Sequence, residues 1–345
     1  DASGSWTSLA DGDWDNPTNW NANTIATGID QTATFNQATG VTVALTSNQT
    51  IGNLAFDTSN YSLGGSSTLT LETSSGIPGI SVGAARPATI NAKPGGIYGM
   101  EKPGNGPLVL TAANTYTGGT TVSAGTLILD GASGGTSRIV GDLTVNSGAT
   151  VALTNGDSTG LGYNPGAKVT SLTINGGTVT TAGVTHIWNF SGGVNMTGGT
   201  LQSNNGVSDA NGSQMEWINA DVVTNASADT ATIGGRINMR GDGGATGINF
   251  TVADGAAATD LLVSAAVTQA SAGLGITKIG SGTMVLSGAN TYTGTTTVSA
   301  GTLLVTGALG DSAVSVNGGA LGGPGAAGGA LSITTGLLPV SGLFD

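Results

Sequence analysis

One segment of this chain is written twice. Ala113-Asn-Thr-Tyr-Thr-Gly-Gly-Thr-Thr-Val-Ser-Ala-Gly-Thr-Leu127 returns as Ala289-Asn-Thr-Tyr-Thr-Gly-Thr-Thr-Thr-Val-Ser-Ala-Gly-Thr-Leu303, and only Gly119 against Thr295 separates the two. The match runs backwards through Lys102, Gly104 and Gly106 onto Lys278, Gly280 and Gly282, and forwards to Gly131 and Gly307. Apolar residues within each copy alternate, which is the period of a strand, and Gly and Asn interrupt them at the corners. A unit this small cannot bury its apolar face alone, so neighbouring units must complete it.

The rest of the chain continues the same theme. Short alternating runs recur at Val41 to Leu45, Thr68 to Leu71, Leu108 to Thr111, Leu143 to Val145, Leu172 to Ile174 and Met284 to Leu286. Val145-Asn-Ser-Gly-Ala-Thr-Val151, Ile174-Asn-Gly-Gly-Thr-Val179, Met196-Thr-Gly-Gly-Thr-Leu201 and Val316-Asn-Gly-Gly-Ala-Leu321 each turn one strand into the next. Successive corners lie roughly 20–25 residues apart, the scale of one solenoid coil. The fold class expected is all-β, a right-handed parallel β-helix (β-solenoid) with an N-terminal Trp-rich cap. Residues 1–40 are read as the cap and first coils. Residues 41–330 are the solenoid with its two close copies (102–131 and 278–307). Residues 331–345 are an apolar C-terminal segment suited to act as a docking strand.

Composition excludes several classes of function. Only 8% of residues are charged, the formal net charge is −12, and eight Lys and Arg are scattered along the chain, so there is no cationic footprint for nucleic acid or for an anionic membrane surface. There is no Cys, so neither disulfides nor thiolate metal sites brace the fold. No run has the length of a membrane-spanning helix, and no terminal series of strands carries the aromatic girdles of an outer-membrane barrel. No membrane insertion is expected.

The pattern K-x-G-x-G, followed by N-T-Y-T-G and T-T-V-S-A-G-T-L, resembles the autotransporter-associated β-strand repeat, also called the passenger-associated transport repeat, at Lys102 to Leu129 and at Lys278 to Val305. Gly4-Ser-Trp6, Gly12-Asp-Trp14, Asn19-Trp20 and Ala33-Thr-Phe35 resemble the opening segment of such surface proteins. The resemblance implies a secreted, extracellular β-helical chain at the cell surface, with no shared enzymatic activity.

Few residues offer chemistry. Asp11, Asp13 and Asp15 place carboxylates on alternate residues, as a Ca²⁺ loop begins; they are the one candidate metal site, and the same motif also reads as an acidic turn of the cap. No other cofactor is expected. The glutamates Glu72, Glu101 and Glu216 are far apart, and no strand carries the paired carboxylates of a glycosidase. His186 stands alone and reads as structural. Trp188 and Trp217, beside Phe190, either offer a sugar-stacking face or fill a widened core. In the repeats, Asn114, Tyr116, Gly118 and Gly125, with their counterparts Asn290, Tyr292, Gly294 and Gly301, read as corner-forming residues. The Asn-x-Ser/Thr triplets at Asn48, Asn60, Asn195, Asn225 and Asn249 arise readily in such a composition and fix nothing about glycosylation.

The function expected first is a non-catalytic extracellular subunit that assembles head to tail into a bacterial surface filament, sheath or layer, with itself as partner. The alternatives are an adhesin or autotransporter passenger that binds host or matrix glycans, and a β-helical polysaccharide lyase or hydrolase.

Overall fold

The computed structural model describes residues 1–58, 60–83, 86–130, 137–154, 168–181, 192–203, 214–218 and 220–336, together with the backbone of 186–188. It divides into two compact units, Asp1–Val169 and Thr170–Asp345. Among the described residues there is no α-helix, and the regular structure is short strands joined by turns and three-residue 3₁₀ segments.

In the first unit, a sheet of parallel strands passes in order through Gly12–Asp13, Thr42–Ala44, Tyr61–Gly64, Ala88–Ile90, Leu108–Leu110, Gly125–Asp130 and Ala149–Thr154. A second sheet stacks Met100–Lys102, Thr120–Val122 and Gly141–Asn146. A third begins at Gly4–Trp6 and runs through Gly28–Phe35, Gln49–Phe56 and Thr68–Leu71 to Lys93–Gly95. Each strand pairs with the equivalent strand one coil away, so identical positions stack into ladders. Ala88, Leu108, Leu127 and Val151 form one inward ladder, and Ile90, Leu110, Leu129 and Leu153 form the next. All eight are buried. The expected parallel β-solenoid is therefore the architecture observed.

The second unit repeats this plan and shows why coil length varies. Its third sheet, His186–Trp188, Met215–Trp217, Arg236–Met239 and Ala266–Gln269, adds a third side to the coils. There a coil stretches from Val194 to its partner Val222 and from Thr200 to its partner Thr232. Among the described residues, this sheet has no strand after Gln269. The coils then have two sides and shorten to the step from Thr296 to Val314. The coil of roughly 20–25 residues expected from sequence thus lies between two kinds.

The repeat strands contain continuous apolar triplets, so one apolar residue of each faces outward. Leu303 and Val305 point into the core, while Leu304 between them is partly exposed. Leu303→Ala should cost about 2–5 kcal/mol as a core cavity, whereas Leu304→Thr should stay within about 0.5 kcal/mol of the parent; urea unfolding of both variants measures the difference.

Candidate functional site

The N-terminal end is closed by aromatic packing. Trp6, Trp14, Trp20, Phe35, Phe56 and Tyr61 are all buried. Trp20 meets Trp6 and Trp14 edge-on at 5.3 and 5.0 Å, and Phe35 stacks on Phe56 at 4.8 Å. Each indole N–H has an acceptor: Trp6 donates to Ser8 O, Trp14 to Ala26 O and Trp20 to Trp14 O. A buried ring with an unpaired N–H would oppose this packing. The acidic motif lies along the same turn. Asp11 accepts from Thr42 N, and Asp15 accepts from Thr46 Oγ1, Ser47 Oγ and Gln49 Nε2. Asp13 is exposed. Among the described residues, no group of three or more His, Asp or Glu side chains is arranged to hold a metal ion, and Asp11, Asp13 and Asp15 are not brought together as one.

The repeat is organised by a residue that sequence reasoning noticed but gave no role. Lys102 and Lys278 are fully buried. The Lys278 stem stacks in the core between Phe250 and Val298. Its Nζ donates to Gly280 O at 2.7 Å and Ile279 O at 3.1 Å in its own coil, and to Ala300 O at 3.0 Å in the next. Lys102 Nζ likewise binds Gly104 O in its own coil and Ala124 O, at 2.8 Å, in the following one. One ammonium thus gathers the carbonyls of two successive corners. Gly301 completes the corner with φ +65°, and a Cβ there would lie 2.4 Å from Gly280 O and 2.7 Å from Lys278 Nζ. Gly125 is its equivalent at φ +63°. The signal available beforehand was a lysine at one repeat position in a chain with eight basic residues.

The Asn-Thr-Tyr segment occupies the place where the third strand would lie. Thr291 N donates to Val267 O at 2.9 Å, as a strand neighbour would, and Asn290 Oδ1 accepts from Val267 N at 3.0 Å. The same amide donates through Nδ2 to Gly288 O and Ala308 O at 3.1 and 2.8 Å. A side-chain amide therefore stands in for backbone at Val267, on the edge strand of the third sheet. In the first copy Thr115 N donates to Pro94 O at 2.9 Å. Pro94 has no N–H to offer, and neither amide atom of buried Asn114 has a hydrogen-bond partner. Gly294 and Gly118 press against the preceding coil, where a Cβ would lie 2.2 Å from Leu274 C and from Gly99 N. Tyr292 Oη reaches Thr296 Oγ1 at 2.6 Å, which continues to Ser312 Oγ at 2.8 Å and Gly294 O. Tyr116 makes the matching 2.6 Å contact with Thr120 Oγ1.

Of the other candidates, Trp217 is buried and donates to Ala220 O, so it presents no ring face to solvent. The side chains of His186 and Trp188, and all of Phe190, lie outside the described residues, as do residues 337–345 of the C-terminal segment. Glu216 is buried, accepts from Gln214 and Asn238, and sits 3.6 Å from Arg240.

Asn290→Ala leaves the Val267 N–H without an acceptor, while Ala308 O keeps the backbone N–H of residue 290, and should cost about 1–3 kcal/mol, whereas Asn114→Ala should cost distinctly less; paired denaturant curves decide this. A second prediction concerns pH. Burial pushes the Lys102 and Lys278 ammoniums down to about 8 from 10.5, with Asp260 partly opposing the shift at Lys278. Burial raises the Tyr116 and Tyr292 hydroxyls above their ordinary 10.0, against the hydroxyl bonds from Thr120, and from Thr296 and Ser312. Below pH 8 both states carry the lysine proton and the folded state bears the full desolvation cost. That cost is relieved as pH rises from 8 towards 10.5, and stability increases. Above 10.0 the unfolded tyrosines ionise while the folded ones stay protonated, and stability falls. Melting temperature should therefore pass through an alkaline maximum, and replacing both lysines by Met should remove its rising limb.

A family model described as Passenger-associated-transport-repeat matches residues 100–129 and 276–305. The chain is 30% identical over 240 residues to the adhesin BmaC autotransporter of Brucella suis biovar 1 (strain 1330), an alignment covering 59% of this chain and 7% of that protein. The chain thus corresponds to a small part of that relative's length. No solved structure matches. Among the described residues, no helix is long and apolar enough to cross a membrane. The sequence resemblance to the passenger-associated transport repeat holds in both copies.

Proposed function

We propose that this passenger-repeat chain is an adhesive segment of a bacterial surface protein, a non-catalytic solenoid that presents its outer faces to host or matrix surfaces. The observation that carries this reading is the similarity to an autotransporter adhesin over 240 residues, which reaches well beyond the two repeats. The described surface suits it. Its depressions are shallow and polar, among them one lined by Asp11, Thr42, Asn60 and Thr89, and such faces favour many weak contacts over one deep pocket. The most buried carboxylate, Glu216, is engaged by Gln214, Asn238 and Arg240, which supports a structural role for it.

Head-to-tail self-assembly is the second reading. Ile333, on the last described strand, is 42% exposed beside the apolar segment that follows it in sequence. Among the described residues that strand is paired on one side only, by Val314–Val316, and an open apolar edge favours addition of another strand.

Beads coated with the folded chain should adhere to cultured epithelial cells or to extracellular matrix more than beads coated with heat-unfolded chain. Equal adherence would overturn the adhesive reading. Sedimentation of the same protein across a wide concentration range tests self-assembly, for which a strictly monomeric chain would be decisive.

A further inference from the structure

In the second unit, where three-sided coils give way to the two-sided coils of the repeat, the second sheet carries a depression of about 250 Å³. Thr246, Asn249, Gly273, Gly275, Thr277 and Thr295 line it. Packing dictates Gly275, where a Cβ would lie 2.2 Å from Thr295 O, and Gly273 has φ +84°. The result is a floor of bare backbone. Packing does not account for the hydroxyls. Among the described residues, those of Thr246, Thr277, Thr295 and Thr297 have no hydrogen-bond partner in the protein.

The depression opens onto a track. Asn249 stacks on Thr277, Thr277 on Thr297, Thr297 on Ser315 and Ser315 on Ser332, one outward polar side chain per coil. Neighbours in such a ladder are ~4.8 Å apart, close to the length of one pyranose unit. No position of the track is charged, and the adjacent Asp221 carboxylate is already engaged by Asn249 N and Nδ2. With a net charge of −12, the chain repels polyanions at long range.

We propose that this depression and track bind a neutral linear polysaccharide that lies across the strands with one sugar per coil. The threonine hydroxyls and Asn249 exchange hydrogen bonds with its hydroxyls, and the glycine floor admits the ring at the head of the track. The proposal rests on the adhesive reading above and names its ligand class and its site.

The test is retention of the full chain on insoluble cellulose, chitin and mannan, with alginate and polygalacturonate as anionic counterparts. Retention is expected on at least one neutral polymer and on neither anionic one. Thr277→Val with Thr297→Val keeps shape and strand propensity while removing two hydroxyls, and should weaken retention roughly tenfold. Thr121→Val with Thr144→Val, on outward positions of the first unit, should leave it unchanged. The proposal is overturned if no neutral polymer retains the chain, if a polyanion is preferred, or if the Thr277/Thr297 variant binds like the parent. Bead adherence of that variant separates the two levels: undiminished adherence would remove this site and leave the adhesive reading standing, whereas a parent chain that fails to adhere removes both.

Discussion

Everything in this fold depends on in-register pairing between consecutive coils. A coil of short strands has no hydrogen-bonding partner of its own and too little apolar area to fold by itself; both needs are met only by the coils on either side. Because paired positions are equivalent, a residue chosen for one coil is placed against the residue chosen for the next. The ladder Ala88, Leu108, Leu127 and Val151 shows the consequence. Small and medium apolar side chains suffice along most of the stack, since each is covered above and below by its own kind. Aromatic rings are concentrated in the first coils, around Trp6, Trp14, Trp20 and Phe35.

Given such a stack, the difficult places are its corners and the sites where a sheet stops. The repeat supplies a device for each. The buried lysine draws two successive corners together through their carbonyls, which a hydrophobic residue at that position has no means to do. In the second copy Asn290 ends the third sheet by accepting from Val267 N and donating to Ala308 O. Each unit carries a third sheet that stops beside one copy of the repeat. The repeat is thus found where the coil changes from three sides to two, and its segment N-T-Y-T-G replaces a strand with a turn.

The sequence carried the solenoid openly, because duplication and alternation are both properties of the text. The Trp-rich cap was legible for the same reason, as an aromatic cluster in a chain otherwise poor in such residues. The change in coil length was not legible: the third-sheet strands Met215–Trp217 and Arg236–Met239 look like any other short alternating run, and only pairing assigns them to a separate side. Trp217 looked open to two readings because a tryptophan near a strand serves equally in a core or on a surface; burial decides. The roles of Lys102 and Lys278 were hidden by type, since lysine in a strand is ordinarily read as an outward residue. The threonine track was invisible because each of its members lies in a different coil, and no local window brings Thr277 beside Ser315.

The stacking direction also fixes how the chain responds to traction. The hydrogen bonds between coils lie along the direction of stacking, so a pull on the chain ends loads the outermost coil first and bears on its bonds in turn, as in a zip, not on all of them at once as in a lap joint. Coils leave singly, each adding its own contour length, and tension is met by stepwise lengthening whose pace is set by unfolding rates rather than by total stability. The lysine that ties each repeat coil to the next is then a ratchet tooth in that zip, placed where three-sided coils give way to two-sided ones.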